Sequence, residues 1–101
     1  MEKIFEELKK THKTVYWLDI PASEDEKDKV IFLRKIDRVT YSAGQKLLQK
    51  DTLQAAEMML KSLYIGGDAL APVLADFDQL RTAADLLSDV IGTVSGNVRK
   101  L

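Results

Sequence analysis

Ser62–Leu70 reads SLYIGGDAL. An apolar helical segment arrives at Tyr64 and Ile65, meets two glycines, and restarts behind an aspartate. The fold turns on what this step is. A phosphate-gripping loop needs further glycines and a Lys-Ser/Thr pair at the head of a helix. No lysine follows here, and the Asp68 carboxylate would repel phosphate. A corner between helices uses all three residues. Gly66 takes the left-handed position that ends many helices, Gly67 completes the turn, and Asp68 caps the next helix. This reading makes Gly66, Gly67 and Asp68 structural turn and cap residues.

Helical patterns flank the corner. Upstream, Asp51 and Gln54 have the D-x-x-Q form of a capping box, and Leu53, Ala56, Leu60 and Leu63 make a seam with Met59 beside it. From Asp37, the apolar residues Val39, Ala43 and Leu47 recur every four residues and predict another helix with that stripe inward. Downstream, Asp68 opens a short helix through Leu74, in which Pro72 is tolerated only in the first turn. Asp76 and Gln79 repeat the capping signature. Phe77, Leu80, Ala84, Leu87 and Ile91 then give the most regular stripe, broadened by Leu86 and Val90. Gly92 and Gly96 mark the end of that helix.

The first third of the chain is different. Glu2 to His12 is a short amphipathic helix with Ile4, Phe5 and Leu8 on one side. Val15 to Ile20 and Val30 to Leu33 are rich in β-branched and aromatic residues and read as strands. The connector Ser23 to Lys29 has no apolar residue. A two-stranded hairpin alone is marginal, so a third strand or a helix must pack on it. The expected fold is α+β and helix-dominant, with a small N-terminal β-hairpin packed on a bundle of three to four helices. The expected organisation is a single domain over 1–101: N-terminal helix and hairpin at 1–35, bundle at 36–92, mobile tail at 93–101.

The chain has 101 residues, 46% hydrophobic and 31% charged, which suits one globular domain. A net charge of −1 provides no global field to draw in nucleic acid or an acidic membrane. Residues 1–50 carry eleven basic against nine acidic side chains, and residues 51–101 carry four against seven. That asymmetry favours head-to-tail self-association, so a homo-oligomer is an expected partner state. Cysteine is absent, which excludes disulfides, thiol chemistry and cysteine–zinc sites, and fits a reducing cytoplasm. No apolar run approaches the roughly 20 residues of a membrane span. Met1–Lys13 is charged throughout and carries no leader-like apolar stretch.

No catalytic, metal or cofactor motif emerges. His12 is the only histidine and sits at a helix end, where its partial positive charge is favourable. The acidic residues Glu24, Asp25, Glu26 and Asp28 lack the glycine and terminal glutamate of a calcium loop. Arg34, Lys35 and Arg38 form a basic knot near the strand aromatics Tyr16, Trp17 and Phe32, the one pattern that suits nucleic acid. Met58 and Met59 are adjacent on a helix, so only one fully faces the core; plain core packing accounts for these residues first, and the alternative is that the outer methionine, with Trp17 and Tyr64, builds a groove for a partner helix.

The ordered pieces VYWLDIP, VIFLRKIDRVTYSAGQKLLQKD, AAEMMLKSLYIGGD and LLSDVIGTVSGNVRKL resemble small tail-assembly chaperone-like proteins of phages and prophages, particularly those of gut Bacteroidetes-type elements. The resemblance spans roughly Val15 to Leu101. Leu33-Arg34 and Tyr64-Ile65-Gly66-Gly67-Asp68 are its most specific parts. Tyr64 stands where the pattern has tryptophan, and Ile36 where proline is common. The resemblance implies a non-enzymatic protein of the bacterial host cytoplasm, with no cofactor. It would cover a long apolar helical partner, a tape-measure-like protein, until that partner is assembled. The residues expected to make that contact, by type, are Trp17, Phe32, Met58, Tyr64, Leu80 and Leu87, with Arg34 at the rim. The alternative expectation is a small nucleic-acid-binding or regulatory protein using Arg34, Lys35, Arg38 and the strand aromatics.

Overall fold

The structure, a computed structural model, describes residues 1–95. The hairpin forms as its composition dictates: β1 (Val15–Ile20) pairs antiparallel with β2 (Lys29–Arg34), in register from Val15 opposite Arg34 to Ile20 opposite Lys29. The polar connector is organised by its own charges. The Ala22 N–H donates to Asp28 Oδ1, and Lys29 pairs with Glu26 at 3.0 Å. α1 (Glu2–Thr11) precedes the hairpin. After it come α2 (Arg38–Leu48), α3 (Thr52–Leu63), β3 (Tyr64–Gly67), α4 (Leu70–Ala75) and α5 (Phe77–Ser95). The fold is α+β with the N-terminal hairpin packed against helices.

The sheet has a third strand that the corner reading does not contain. β3 adds to β2 antiparallel, giving the order β1-β2-β3. Chain geometry explains it. α3 ends at Tyr64 in an extended conformation (φ −62°, ψ 127°), so the chain passes from helix to strand without a left-handed residue. Gly66 therefore does not hold the left-handed position; Gly67 does, with φ 97°. Gly66 pairs with Phe32 and Gly67 with Ile31, while Ile65 bulges out between Gly66 and Tyr64. Asp68 does not cap α4 either, because Ala69 precedes that helix with no side-chain cap. Instead the Asp68 N–H donates to the Val30 carbonyl at 2.7 Å, and the Val30 N–H donates to Asp68 Oδ2 at 2.8 Å. Asp68 thus closes the end of the β2–β3 ladder. The Tyr64 hydroxyl donates to the Asp68 carbonyl at 2.8 Å and reinforces the bend.

Strand alternation supplies both faces of the sheet. Leu18, Ile20, Ile31 and Leu33 join Leu60 and Leu63 of α3, Val73 of α4 and Leu80 and Leu87 of α5 in the core. On the opposite face, Phe5 of α1 packs on Trp17 and Phe32, the three ring centroids lying 5.1–5.6 Å apart. Gly66 makes room for α1: a Cβ there would lie 3.0 Å from Leu8 Cδ1. The sheet is consequently covered on both sides.

Two helices are rotated from their sequence reading. α2 buries Thr40 and Gly44, while Val39 is 79% exposed and Ala43 is exposed. Small residues win that face because they let α2 and α3 approach closely. A Cβ on Gly44 would lie 2.5 Å from Met59 Sδ. In α5 the buried set is Gln79, Leu80, Ala83, Leu87 and Val90, and Phe77 is 61% exposed. Gln79 does not complete a reciprocal capping box. Its N–H donates to Asp76 Oδ2, but its side-chain amide donates to the carbonyls of Pro21 (3.1 Å) and Lys27 (2.7 Å), latching the hairpin connector to α5. α5 continues past Gly92 to Ser95; the rest of the expected tail, 96–101, lies outside the described residues.

Candidate functional site

The rotation of α2 creates the main candidate. Gly44 draws α2 onto the Met59 side of α3, and the preceding residue, Met58, turns outward by the 100° step of a helix. Met59 is buried and Met58 is half-buried, as expected for adjacent methionines. Met58 and Leu47 then form the floor of a shallow groove between the two helices. Ala43, Lys46 and Lys50 line it on the α2 side. Gln54, Glu57, Lys61 and Ser62 line it on the α3 side. Glu57 and Lys61 pair at 3.4 Å on the exposed surface, an ion pair of little energetic weight. Two further lysines on the α2 rim leave the groove with net positive edges around an apolar floor.

Arg34 reaches the α3 end of this groove through Ser62 and makes three hydrogen bonds. Its guanidinium donates to Asp37 Oδ2 and to the Ser62 carbonyl, both at 3.0 Å, and to the Lys35 carbonyl at 3.2 Å. Ser62 lies in the last turn of α3, where carbonyls lack intrahelical donors, so Arg34 ties β2 to that helix end. The Ser62 hydroxyl in turn reaches Met58 Sδ at 3.8 Å. The structure therefore brings Met58 and Arg34 into one neighbourhood.

Asp37 caps α2, accepting the Thr40 N–H at 2.7 Å. That backbone bond, and then the Arg34 guanidinium, hold its carboxyl below the ordinary aspartate value of 3.8. Burial raises the Tyr64 phenol above its ordinary value of 10.0, and the Asp68 charge adds to the rise.

The other expected contact residues are placed elsewhere. Phe32, Leu80 and Leu87 are at most 7% exposed and belong to this chain's own core, so they are corrected from contact residues to packing residues. Trp17 is half-buried beneath α1, its indole N–H donating to Asp19 Oδ1 at 2.9 Å. Tyr64 is half-buried at the α3–β3 junction. Gly66 and Gly67 belong to the edge strand β3, and Asp68 closes the end of its ladder. His12 is the C-cap of α1, with its backbone N–H on the Leu8 carbonyl. Ala43 and Leu47 are the groove residues that sequence reading assigns to the core. The signal that could have found them is the small pair Thr40 and Gly44, four residues apart and about 100° round the helix from the apolar stripe.

Among the described residues, no group of three or more histidine, aspartate or glutamate side chains is placed to hold a metal ion, and no helix is long and apolar enough to cross a membrane. Comparison of the chain with protein-family models, curated proteins and solved structures returns no match.

Proposed function

We propose that this chain is a non-enzymatic, tail-assembly chaperone-like protein that covers an apolar stretch of a long helical partner in the groove between α2 and α3. One observation carries the reading. α2 turns its apolar stripe away from its own core: Val39 is 79% exposed, and further along the helix Ala43 and Leu47 line the groove with Met58. A partner helix laid there would bury these side chains, each worth at most about 1.5–3 kcal/mol on full burial. Their partial starting burial and the cost of association reduce the net to a reversible, micromolar-scale interaction. Reversibility is what a holding role needs, since the partner must later be released. The lysine rim selects a helix whose polar flanks are acidic. Methionine at the floor suits a sequence that varies from turn to turn.

The nucleic-acid alternative loses its stacking platform. The aromatic face that would stack bases lies under α1, and Arg34 already donates to three acceptors.

The test is co-expression with a tape-measure-like helical protein, reading the partner's soluble fraction. The wild-type chain should raise it, and Leu47→Asp with Met58→Asp should abolish the rise while the chain itself stays folded. An equal rise with the doubly substituted chain would refute the groove as the site. No rise with any such partner would refute the role.

A further inference from the structure

The two most exposed large hydrophobic side chains among the described residues are Val39 and Phe77, at 79% and 61%. Each opens a helix whose outer face carries mainly one sign of charge. From Arg38 to Lys50 there is no acidic residue, and Arg38, Lys46 and Lys50 are all exposed. The outer face of α5 presents Phe77, Asp78 and Asp85, with Arg81 as its one base. α3 lies between α2 and α5 and packs on both, so each copy displays both faces at once.

The spacings match. Lys46 follows Val39 by seven residues and Asp85 follows Phe77 by eight, about 10.5 and 12 Å along a helix. Arg38 adjoins Val39, and Asp78 adjoins Phe77. Side by side and parallel, the two apolar side chains meet at one end, Arg38 faces Asp78, and Lys46 faces Asp85. The antiparallel arrangement would separate the apolar pair and set charge against exposed hydrocarbon.

We propose that the chain self-associates head to tail, the outer face of α2 of one copy lying parallel on the outer face of α5 of a second copy. The contact is heterologous: each bound copy leaves one face of each kind open, so growth gives a ring or an open row. Individual exposed ion pairs contribute little, so the apolar contact supplies the attraction and the charges set register and polarity. This inference stands independently of the partner reading. Lys46 also borders the groove, so a bound partner and a neighbouring copy compete for α2.

Sedimentation of the full chain tests it. The weight-average mass should rise above monomer between about 10 µM and 1 mM, and association should weaken about two- to fivefold from 0.05 to 0.5 M salt as screening shortens. Arg38→Glu/Lys46→Glu removes the basic face, and Asp78→Lys/Asp85→Lys removes the acidic one. Each variant alone should be monomeric. An equimolar mixture should associate again, because the unsubstituted α2 and α5 faces still match and the two charge-reversed faces are complementary to each other. Circular dichroism confirms helix content; if either double variant loses it, Val39→Ser and Asp85→Arg replace the pair. Concentration-independent monomer mass at low salt overturns the proposal. So does self-association of either blocked variant, or a mixture that does not pair.

Discussion

Gly67→Ala should be the most damaging single-methyl change in the chain, and Gly66→Ala a mild one. Gly67 has φ 97°, a conformation that costs an L-residue about 1–2 kcal/mol. A Cβ there would lie 2.5 Å from the Val30 carbonyl oxygen and 3.0 Å from Ile31 Cα, both backbone atoms. Neither can move without opening the paired bonds between Val30 and Asp68, which lie at 2.7 and 2.8 Å. Losing one bond to a charged acceptor costs about 1.5–3 kcal/mol. The sum is about 2.5–5 kcal/mol, a large part of the roughly 5–15 kcal/mol that holds a typical domain. At Gly66 the nearest obstacle is Leu8 Cδ1 at 3.0 Å, the end of a flexible side chain on α1. A small shift of α1 relieves it, and the loss of glycine's chain entropy offsets it, leaving a change within about 1 kcal/mol. Urea unfolding of both variants, followed by far-UV circular dichroism, reads the difference. A cost at Gly66 equal to or above that at Gly67 would refute the strand assignment and restore a left-handed helix end at Gly66.

Leu87→Ala should destabilise by about 2–5 kcal/mol through the cavity it leaves, whereas Val39→Asp should change stability by no more than about 0.5 kcal/mol, both read by urea unfolding. Gln79→Glu keeps the shape of a 1% exposed side chain but faces a carboxylate toward the carbonyls of Pro21 and Lys27. It should cost about 3 kcal/mol or more at neutral pH, with partial recovery in acid as the carboxyl regains a proton to donate. Asp37→Asn preserves an acceptor for Thr40 but removes the charge. Because the folded-state carboxyl lies below 3.8, its contribution is present above the ordinary aspartate range and is lost as pH falls through the folded value. The stability gap between wild type and Asp37→Asn should therefore exist at neutral pH and close below pH 3.8 in acid-unfolding curves.

The hairpin, its facing residues and the positions of α3 and α5 were legible because period and composition agreed there. Val15–Ile20 alternates correctly, and Leu60 and Leu63 are buried as their seam requires. β3 was not legible. Its four residues include two glycines, and a pairing partner more than thirty residues upstream leaves no local trace. The left-handed residue falls one position later than the corner reading places it for the same reason, since only the ladder with Ile31 requires it at Gly67. α2 misled in a different way. Its apolar stripe is real, yet close packing against Met59 selects the face with the smallest side chains. The groove follows from that inversion, so sequence reading found Met58 and missed Ala43 and Leu47. Phe32, Leu80 and Leu87 show the converse. Residue type marked them as apolar contacts, and only the three-dimensional arrangement shows that this chain's own elements cover them.

In the proposed role, the outward face of α2 and the groove beside it receive an apolar helix. Hydrogen–deuterium exchange of the chain, free and with a soluble helical fragment of a tape-measure-like partner, measures this directly. Protection should appear over residues 38–50 and on α3 around Met58, with α1 and the connector 21–28 unchanged. Protection centred on α1 or that connector, with α2 exchanging as in the free chain, would contradict it.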